Sequence, residues 1–349
     1  MKILVIQQKM IGDVLTSTVL FEAIKLKYPK AKVDYLINTH TFPVVKHNPY
    51  VDNCIFFTKE METNKKEFWK FLKLIRDSNY DIVIDLYGKI SSILISRFSK
   101  AKIKISYKKK YTEFIYTHVF KRLKKPTLNV SLAIENRMKL LEFIDIPFIN
   151  IKPKIYFDDP ELLKSKQFLE HQHIDLSKPL LMISVLGSSE KKTYPKSYMA
   201  KVLDTIVEYR PSSQLLFNYI PKQKEKAKEI YNLCNLKTQK RIYFDVFGES
   251  LRSFIAITKH CDALIGNEGG AVNMAKAMDI PTFTIFNPAL NKMNWFGEIE
   301  TKKHTAVHAI DFLDLSMKEA KKDPTSAYQM FKPKYFSESL QKFLNDNIS

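Results

Sequence analysis

Short runs of apolar residues alternate along the chain with longer stretches in which apolar residues recur at helical spacing. In the first half, the apolar runs cover residues 3–6, 32–37, 82–85 and 102–105, and the helical patterns lie around residues 14–28, 67–78, 91–98 and 131–144. Strands that are apolar throughout are typical of parallel sheets covered by helices on both faces. This alternation therefore predicts an α/β domain with a parallel sheet.

The alternation restarts after residues 149–159, which contain one proline and precede another. We interpret this segment as an inter-domain passage, in which Asp158 and Asp159 belong to the linker. His171 and His173 are expected to be surface residues between the domains. Strands are then predicted at residues 180–185, 214–219, 242–244, 263–265 and 282–286, and helices at residues 196–209, 222–233, 251–259, 271–278 and 334–347.

The length of 349 residues exceeds what one hydrophobic core ordinarily organises, so two domains are expected. With 45% hydrophobic residues, each half has enough apolar side chains to bury a core of its own. We predict a first domain over residues 1–155, a second over residues 156–330 and a final amphipathic helix within residues 331–349.

Basic residues outnumber acidic ones by 56 to 37, which gives a formal net charge of +19. The densest basic stretches are residues 100–110 and 121–125. Such a charge attracts phosphates, acidic glycans, nucleic acids or an anionic membrane face, and it does not choose among them. No helix-turn-helix, zinc-finger or ribonucleoprotein pattern accompanies the charge, so a nucleic-acid partner is not expected.

The three cysteines, Cys54, Cys234 and Cys261, are scattered and form neither a disulfide framework nor a CxxC metal site. The N-terminal apolar run covers only residues 3–6, which is too short for a signal peptide. Nowhere do 18 apolar residues follow one another, as a membrane-spanning helix requires. We therefore expect a cytoplasmic protein, for which peripheral contact with the anionic face of the inner membrane stays open.

A candidate anion site follows a predicted strand in the second half. The apolar run stops at Gly266, Glu268, Gly269 and Gly270 follow, and an Ala/Met-rich helical pattern then carries Asn273. Backbone N–H groups after a strand and at a helix N-terminus can together hold a diphosphate without a metal ion. The sequence therefore predicts a metal-free diphosphate site at this turn.

A counterpart lies near the N-terminus, where a buried strand over residues 2–7 leads through Gly12 into a helix with Asp13 at its start. Two strand-to-helix turns, one in each half, suggest two facing nucleotide-binding domains with a cleft between them. From position alone, Asp13 is more readily explained as an N-terminal helix cap than as a catalytic base. Both interpretations stay open at this point.

A polar loop after the predicted strand at residues 180–185 contains Ser188, Ser189, Lys191 and Lys192. An ammonium group in such a loop neutralises a leaving diphosphate, and serine hydroxyls donate hydrogen bonds to its oxygens. In a chain with this many lysines, an ordinary surface lysine is the simpler alternative. Residue type alone does not separate Lys191 from Lys192.

Four segments, in order along the chain, resemble the motifs of the family-9 glycosyltransferases, the heptosyltransferase family of lipopolysaccharide core assembly. They are Ile11-Gly-Asp-Val-Leu-Thr-Ser-Thr18, Asp85-Leu-Tyr-Gly88, Lys192-Thr-Tyr-Pro195 and the stretch from Gly266 to Asn273. Several short motifs in register are more specific than any one alone, and the resemblance covers roughly residues 1–300.

The resemblance implies the GT-B architecture, with two facing Rossmann-like domains and a C-terminal helix that packs back across the first. It implies inverting, metal-independent transfer of a sugar, with ADP-heptose as the usual donor, an acidic lipopolysaccharide-core glycolipid as acceptor and no separate cofactor. It makes Asp13 the general base and, by the distance to Pro195, Lys192 the diphosphate-binding lysine. Gln223 stands where the family often has a glutamate that bonds the nucleotide ribose. The donor-binding residues are then Gly12, Ser188, Ser189, Lys192, Gln223, Glu268, Gly269, Gly270 and Asn273.

Three positions depart from the family pattern: Glu268 replaces Asp, Gly269 replaces Thr and Asn273 replaces His. These changes bear on donor identity and turnover more than on diphosphate binding, because backbone N–H groups supply most of the site. Two alternatives are kept, a nucleotide-sugar epimerase, which needs further acid–base residues, and a catalytically silent relative that binds a nucleotide or glycan. Retention of Asp13 and Lys192 favours an active transferase.

Overall fold

The computed structural model describes residues 1–110, 112–297 and 302–348. The chain divides into two compact units, Met1–Tyr156 and Phe157–Ser349. Each unit contains a parallel sheet with helices, so the predicted α/β class is confirmed for both halves. The passage between the units falls inside the segment that the sequence analysis interpreted as inter-domain.

The described part of the first unit forms one sheet of six parallel strands. The strands are β1 Lys2–Ile6, β2 Lys32–Asn38, β3 Asn53–Phe57, β4 Ile82–Asp85, β5 Ile103–Tyr107 and β6 His118–Phe120. The helices are α1 Ile11–Ser17, α2 Val19–Lys27, α3 Lys59–Thr63, α4 Lys65–Asp77, α5 Ile90–Phe98 and α6 Leu132–Met138. The strand order β3-β2-β1-β4-β5-β6 is that of a doubly wound nucleotide-binding sheet.

The central strands of this sheet are apolar because both of their faces are covered. Residues 3–6 of β1 are fully buried, and β1 pairs with β2 on one side and β4 on the other. Two strands of this sheet were not predicted, β3 and β6, and both lie at its edges. Most of their residues are partly exposed, so neither leaves a long apolar run in the sequence.

The single helix predicted over residues 14–28 is two helices, α1 and α2, that meet at Thr18. The Thr18 backbone N–H donates to the Leu15 carbonyl at 3.1 Å, and the Thr18 hydroxyl donates to the same oxygen at 2.7 Å. A hydroxyl that competes for a helix carbonyl interrupts the regular backbone bonding. Helix α1 begins at Ile11, so all the residues that resemble the family signature except Thr18 lie inside it.

The described part of the second unit forms a sheet of five parallel strands. The strands are β7 Leu180–Ser184, β8 Gln214–Phe217, β9 Ala263–Asn267, β10 Thr282–Ile285 and β11 His304–Val307, in the order β11-β10-β9-β7-β8. The strand predicted at residues 242–244 is reduced to one parallel bridge between Ile242 and Leu215 of β8. With this bridge at its edge, the second sheet follows the same winding order as the first.

The helices of the second unit cover both faces of its sheet. They are α7 Asp159–His171, α8 Lys196–Tyr209, α9 Lys224–Leu233, α10 Leu236–Gln239, α11 Leu251–Lys259, α12 Gly270–Ala277, α13 Met317–Lys322, α14 Pro324–Met330 and α15 Ser337–Asn347. Across the described residues of both units, no helix combines the length and the apolar character that crossing a bilayer requires.

Helix α7 corrects the linker interpretation. Asp158 is its N-cap and accepts a hydrogen bond from the Glu161 backbone N–H at 2.9 Å, with a proline in the first turn. These are ordinary helix-start signals. The helix is largely polar and buries only Ser165 and Leu169, so it leaves no clear apolar periodicity in the sequence. His171 lies in its last turn rather than in a linker.

The apolar face of helix α15 is buried in the core of the second unit. Leu340, Phe343 and Leu344 are buried, and the ring centroid of Phe343 lies 5.6 Å from that of Phe283 in β10. Packing of this helix back across the first domain, which the family resemblance implies, stays a prediction. Its buried side chains complete the hydrophobic core beside the second sheet.

Candidate active site

Asp13 lies at the third position of α1, after the carboxyl end of β1, and it is not the helix cap. Met10 occupies the N-cap position, and its side chain makes no capping hydrogen bond. The Asp13 carboxylate instead pairs with Arg137 of α6, with 2.8 Å between Oδ1 and Nη2. The side chain of Asp13 is 36% exposed, against 8% for Arg137. One carboxylate oxygen of Asp13 is therefore bonded to a buried arginine, while the side chain remains partly exposed to solvent.

Gly12 does not make the turn that the sequence analysis assigned to it. It is buried inside α1, it has no positive φ, and its carbonyl accepts a hydrogen bond from the Thr16 hydroxyl at 2.8 Å. The chain turns before Ile11, where the helix begins. Regular helical geometry, rather than glycine flexibility, therefore sets the direction of the Asp13 side chain.

Tyr107, at the carboxyl end of β5, lies close to Asp13 and to two arginines. Burial raises the pKa of its phenol, the charges of Arg137 and Arg122 oppose this rise, and the charge of Asp13 adds to it. The Arg122 guanidinium lies 3.9 Å from the centre of the Tyr107 ring. The carboxyl edge of the first sheet therefore collects positive charge beside Asp13.

Lys109 adds to this positive region. Its ammonium donates a hydrogen bond to the Gly88 carbonyl. Burial lowers the pKa of Lys109, and the neighbouring charges of Lys89 and Arg122 lower it further. Like charges held this close favour the binding of an anion among them.

Asp85, in the segment that resembles the family's Asp-Leu-x-Gly motif, is a fully buried carboxylate at the end of β4. It accepts hydrogen bonds from the Tyr116 hydroxyl at 2.6 Å, the Gly88 N–H at 2.8 Å and the Tyr87 N–H at 2.9 Å. Burial raises the pKa of Asp85, and these donors oppose that rise. Asp85 thus shapes the loop that carries Lys89 rather than meeting a ligand.

In the second unit, the two predicted phosphate loops start side by side. They follow β7 and β9, which are neighbours in the sheet with Ser184 opposite Gly266. A Cβ atom on Gly266 would lie 2.4 Å from the Ser184 carbonyl oxygen. Gly266 is therefore required for close strand packing, which brings the two loops to the same edge of the sheet.

The loop after β7 presents Ser188, Ser189 and Lys192 to solvent. Its shape is held from within, because the Ser189 carbonyl accepts from the Lys192 N–H at 3.0 Å and from the Thr193 hydroxyl at 2.9 Å. Gln223 bonds this loop as well, through 3.3 Å between Nε2 and the carbonyl oxygen of Gly187. The structure thus places Gln223 against the loop backbone.

The loop after β9 leads into α12, which begins at Gly270 with Gly269 at the N-cap. A Cβ atom on Gly269 would meet nothing within 4 Å, so the space beside this backbone is open. Asn273 lies in the first turn, partly exposed. Burial raises the pKa of Glu268, and the positive charge of Lys192 from the other loop opposes that rise. The two loops therefore face a common region.

Two buried asparagines that the sequence analysis did not single out fasten these loops. Asn267 accepts from the Tyr194 N–H at 2.7 Å and donates to the Ser184 carbonyl at 2.9 Å. Asn287, which follows β10, donates to the Lys191 carbonyl at 2.8 Å. Asn267 lies within the family-like stretch from Gly266 to Asn273, and the signal for Asn287 was a polar residue close behind an apolar strand.

The structure therefore groups the predicted residues into two sets. Asp13 and Gly12 lie at the carboxyl edge of the first sheet. The others lie at the carboxyl edge of the second sheet or against its loops: Ser188, Ser189, Lys192, Gln223, Glu268, Gly269, Gly270 and Asn273. In doubly wound sheets, ligands bind at this edge.

Comparison with known proteins identifies the family of this chain. The family model for glycosyltransferase family 9 (heptosyltransferase) matches residues 68–305, a range that holds three of the four motifs described above. Lipopolysaccharide heptosyltransferase 1 from Campylobacter coli is 25% identical over 310 residues, which cover 85% of this chain and 86% of that protein.

Solved structures share the fold. The family-9 glycosyltransferase from Veillonella parvula superposes with a TM-score of 0.79 at 17% identity, over 99% of this chain and 96% of that one. The E. coli heptosyltransferase WaaC with ADP superposes with a TM-score of 0.72 at 15% identity, over 99% of this chain and 100% of that one. These likenesses confirm the predicted GT-B type of fold. Because the family model spans well over half of the chain, this protein belongs to glycosyltransferase family 9, the heptosyltransferase family.

Proposed function

We propose that this protein is an inverting, metal-independent heptosyltransferase that moves heptose from ADP-heptose to an acidic glycolipid acceptor of the lipopolysaccharide-core type. Asp13 is the general base, and the loops after β7 and β9 hold the donor diphosphate. The proposal rests on how the two carboxylate oxygens of Asp13 are hydrogen-bonded. Its Oδ1 is held by Arg137, whereas no hydrogen bond from the described residues goes to Oδ2. Oδ2 is thus available to take a proton.

In the proposed reaction, an acceptor hydroxyl attacks the anomeric carbon from the face opposite the diphosphate. The new glycosidic C–O bond forms while the bond from the anomeric carbon to the phosphate oxygen breaks, so the configuration inverts. The hydroxyl proton passes to Oδ2 of Asp13, and the bonding electron pair leaves with ADP. A positioned carboxylate contributes by removing the proton in the transition state.

The donor site needs positive potential where the diphosphate develops charge. Lys192, the hydroxyls of Ser188 and Ser189, and the N-terminal N–H groups of α12 supply it. The departures from the family pattern leave these backbone donors in place. The open space beside Gly269 lets a phosphate oxygen approach the backbone closely. The nucleotide is taken to be ADP because the E. coli relative was solved with it.

The acceptor is proposed to be acidic because Arg122, Lys109 and Lys89 concentrate positive charge near Asp13 in the same unit. A carboxylate or phosphate on the acceptor would relieve the repulsion among these side chains and bring a neighbouring hydroxyl toward the base. The family relatives, named as lipopolysaccharide heptosyltransferases, support the same class of acceptor.

Incubation of the purified protein with radiolabelled ADP-heptose and a truncated lipopolysaccharide acceptor tests the proposal. We expect acceptor-dependent transfer of label to the glycolipid, and much less transfer when the acidic groups of the acceptor are esterified. Conversion of the nucleotide sugar without acceptor would instead identify an epimerase. Stabilisation by ADP without any product would identify a silent relative, since a ligand at 100 times its Kd adds about 2.7 kcal/mol of stability.

Metal removal is a further test of the mechanism. Because Lys192 and backbone N–H groups are proposed to replace a divalent cation, we expect the transfer rate to be unchanged in excess EDTA. Addition of Mg²⁺ or Mn²⁺ to untreated enzyme is the matching control and should not raise the rate. Loss of activity in EDTA that either ion restores would contradict the metal-free mechanism.

A further inference from the structure

We propose that Arg137 is a positioning residue for Asp13, one that sets the orientation of the base without touching the substrate. This inference rests on the proposed function, since it assigns Arg137 a role in proton removal by Asp13. Asp13 and Arg137 are 124 positions apart, and no motif in the sequence contains both of them.

The Arg137 guanidinium makes three hydrogen bonds to residues of α1. Its Nη2 lies 2.8 Å from Asp13 Oδ1 and 3.3 Å from the Asp13 carbonyl oxygen. Its Nε lies 2.9 Å from Ser17 Oγ, and the Ser17 hydroxyl in turn donates to the Asp13 carbonyl at 2.7 Å. Both the backbone and the side chain of Asp13 are therefore bonded to one group.

The guanidinium is itself held by its own helix. Its Nη1 donates to the Ala133 carbonyl, four residues earlier in α6, at 2.9 Å. A planar fork bonded on several sides has little rotational freedom left, unlike the flexible point charge of a lysine. Because Arg137 is fixed relative to α6, its hydrogen bond also fixes the orientation of the Asp13 carboxylate.

Arg137 differs in burial from Arg122, which is proposed to attract the acceptor. Its side chain is 8% exposed, so it does not contact an acceptor directly, whereas Arg122 on the same edge of the sheet is exposed. A buried guanidinium bonded to Oδ1 leaves Oδ2 as the proton acceptor and fixes its direction. Misplacement of a catalytic group by about 1 Å can cost a hundredfold in rate.

Arg137→Ala is the direct test, measured with saturating donor and acceptor. We expect kcat to fall by on the order of tenfold to a hundredfold while the Kd for ADP stays unchanged. Guanidinium ion in the assay should restore part of the activity of this variant and none of the activity of Asp13→Asn. Arg137→Lys should remain impaired, because an ammonium does not reproduce the planar fork.

Arg252→Ala is the matched control for removing a buried arginine. Arg252 pairs with Glu161 at 2.6 Å, with 13% and 15% exposure of the two side chains, and neither residue is among the proposed site residues. Both alanine variants should lower the Tm, because each removes a largely buried guanidinium together with its ion pair and hydrogen bonds, but only Arg137→Ala should lower kcat. Ser17→Ala repeats the test with the ion pair intact, and we expect a smaller fall in kcat.

The outcomes separate this inference from the function on which it rests. If Asp13→Asn is inactive while Arg137→Ala and Ser17→Ala keep the wild-type kcat, Arg137 is a structural tie only and the inference is wrong. The inference is also wrong if guanidinium restores nothing. If Asp13→Asn itself keeps full activity, the proposed function fails first.

Discussion

Replacing Asp13 with asparagine is expected to lower kcat by at least about a hundredfold and to leave ADP affinity nearly unchanged, as the loss of a general base should. Asparagine keeps the shape of the side chain, and its carbonyl oxygen can still accept the hydrogen bond from Arg137. Only the capacity to take a proton is removed. Initial rates of heptose transfer and ADP titration calorimetry on the same preparation measure the two quantities.

Asp77→Asn provides the control for this substitution, because Asp77 is an exposed carboxylate that pairs with its neighbour Arg76 at the surface. It should leave kcat unchanged. Equal activity of wild type and Asp13→Asn would show that Asp13 serves the structure of α1 alone. A parallel loss of activity and ADP affinity would point to a donor-site defect rather than a missing base.

Lys192→Ala is expected to reduce kcat/KM by on the order of a hundredfold and to weaken ADP binding, because the ground state and the departing diphosphate both use its charge. The structure supports Lys192 over its neighbour. The positive charge of Lys192 opposes the rise in the pKa of Glu268 in the opposite loop, and Lys191 makes no such contribution. Donor titrations and steady-state kinetics measure both effects.

Lys191→Ala is the paired control, since it removes the same charge from the adjacent position. It should change kcat/KM much less than Lys192→Ala. The opposite ranking would move the phosphate assignment by one residue along the loop. If neither variant differs from wild type, the loop after β7 does not contact the diphosphate.

The sequence predicted the helices and strands correctly wherever their burial leaves a periodic pattern of apolar residues. Strand β4 and helices α8 and α11 were predicted with their observed bounds, because a strand buried on both faces and a helix buried on one leave distinct periodicities. The loops around Lys192 and Glu268 were also located, because each interrupts such a pattern with small and polar residues.

Elements with weak local burial were missed for the complementary reason. The edge strands β3 and β6 are partly exposed, and α7 buries only Ser165 and Leu169, so none of them leaves a clear apolar pattern. The apolar face of α15 was evident in the sequence, but its packing partner was not. The apolar face of a helix indicates that the face is buried, but it does not indicate which element packs against it.

For the site, the sequence alone determined which residue types stand at the ends of the strands, including Asp13, Lys192 and Glu268. Only the tertiary structure decided which partners surround them there. The pairing of Asp13 with Arg137 and the fastening of the loops by Asn267 and Asn287 join residues from 73 to 124 positions apart. Such contacts arise when separate helices and strands pack at one sheet edge, and no pattern within a single segment records that meeting.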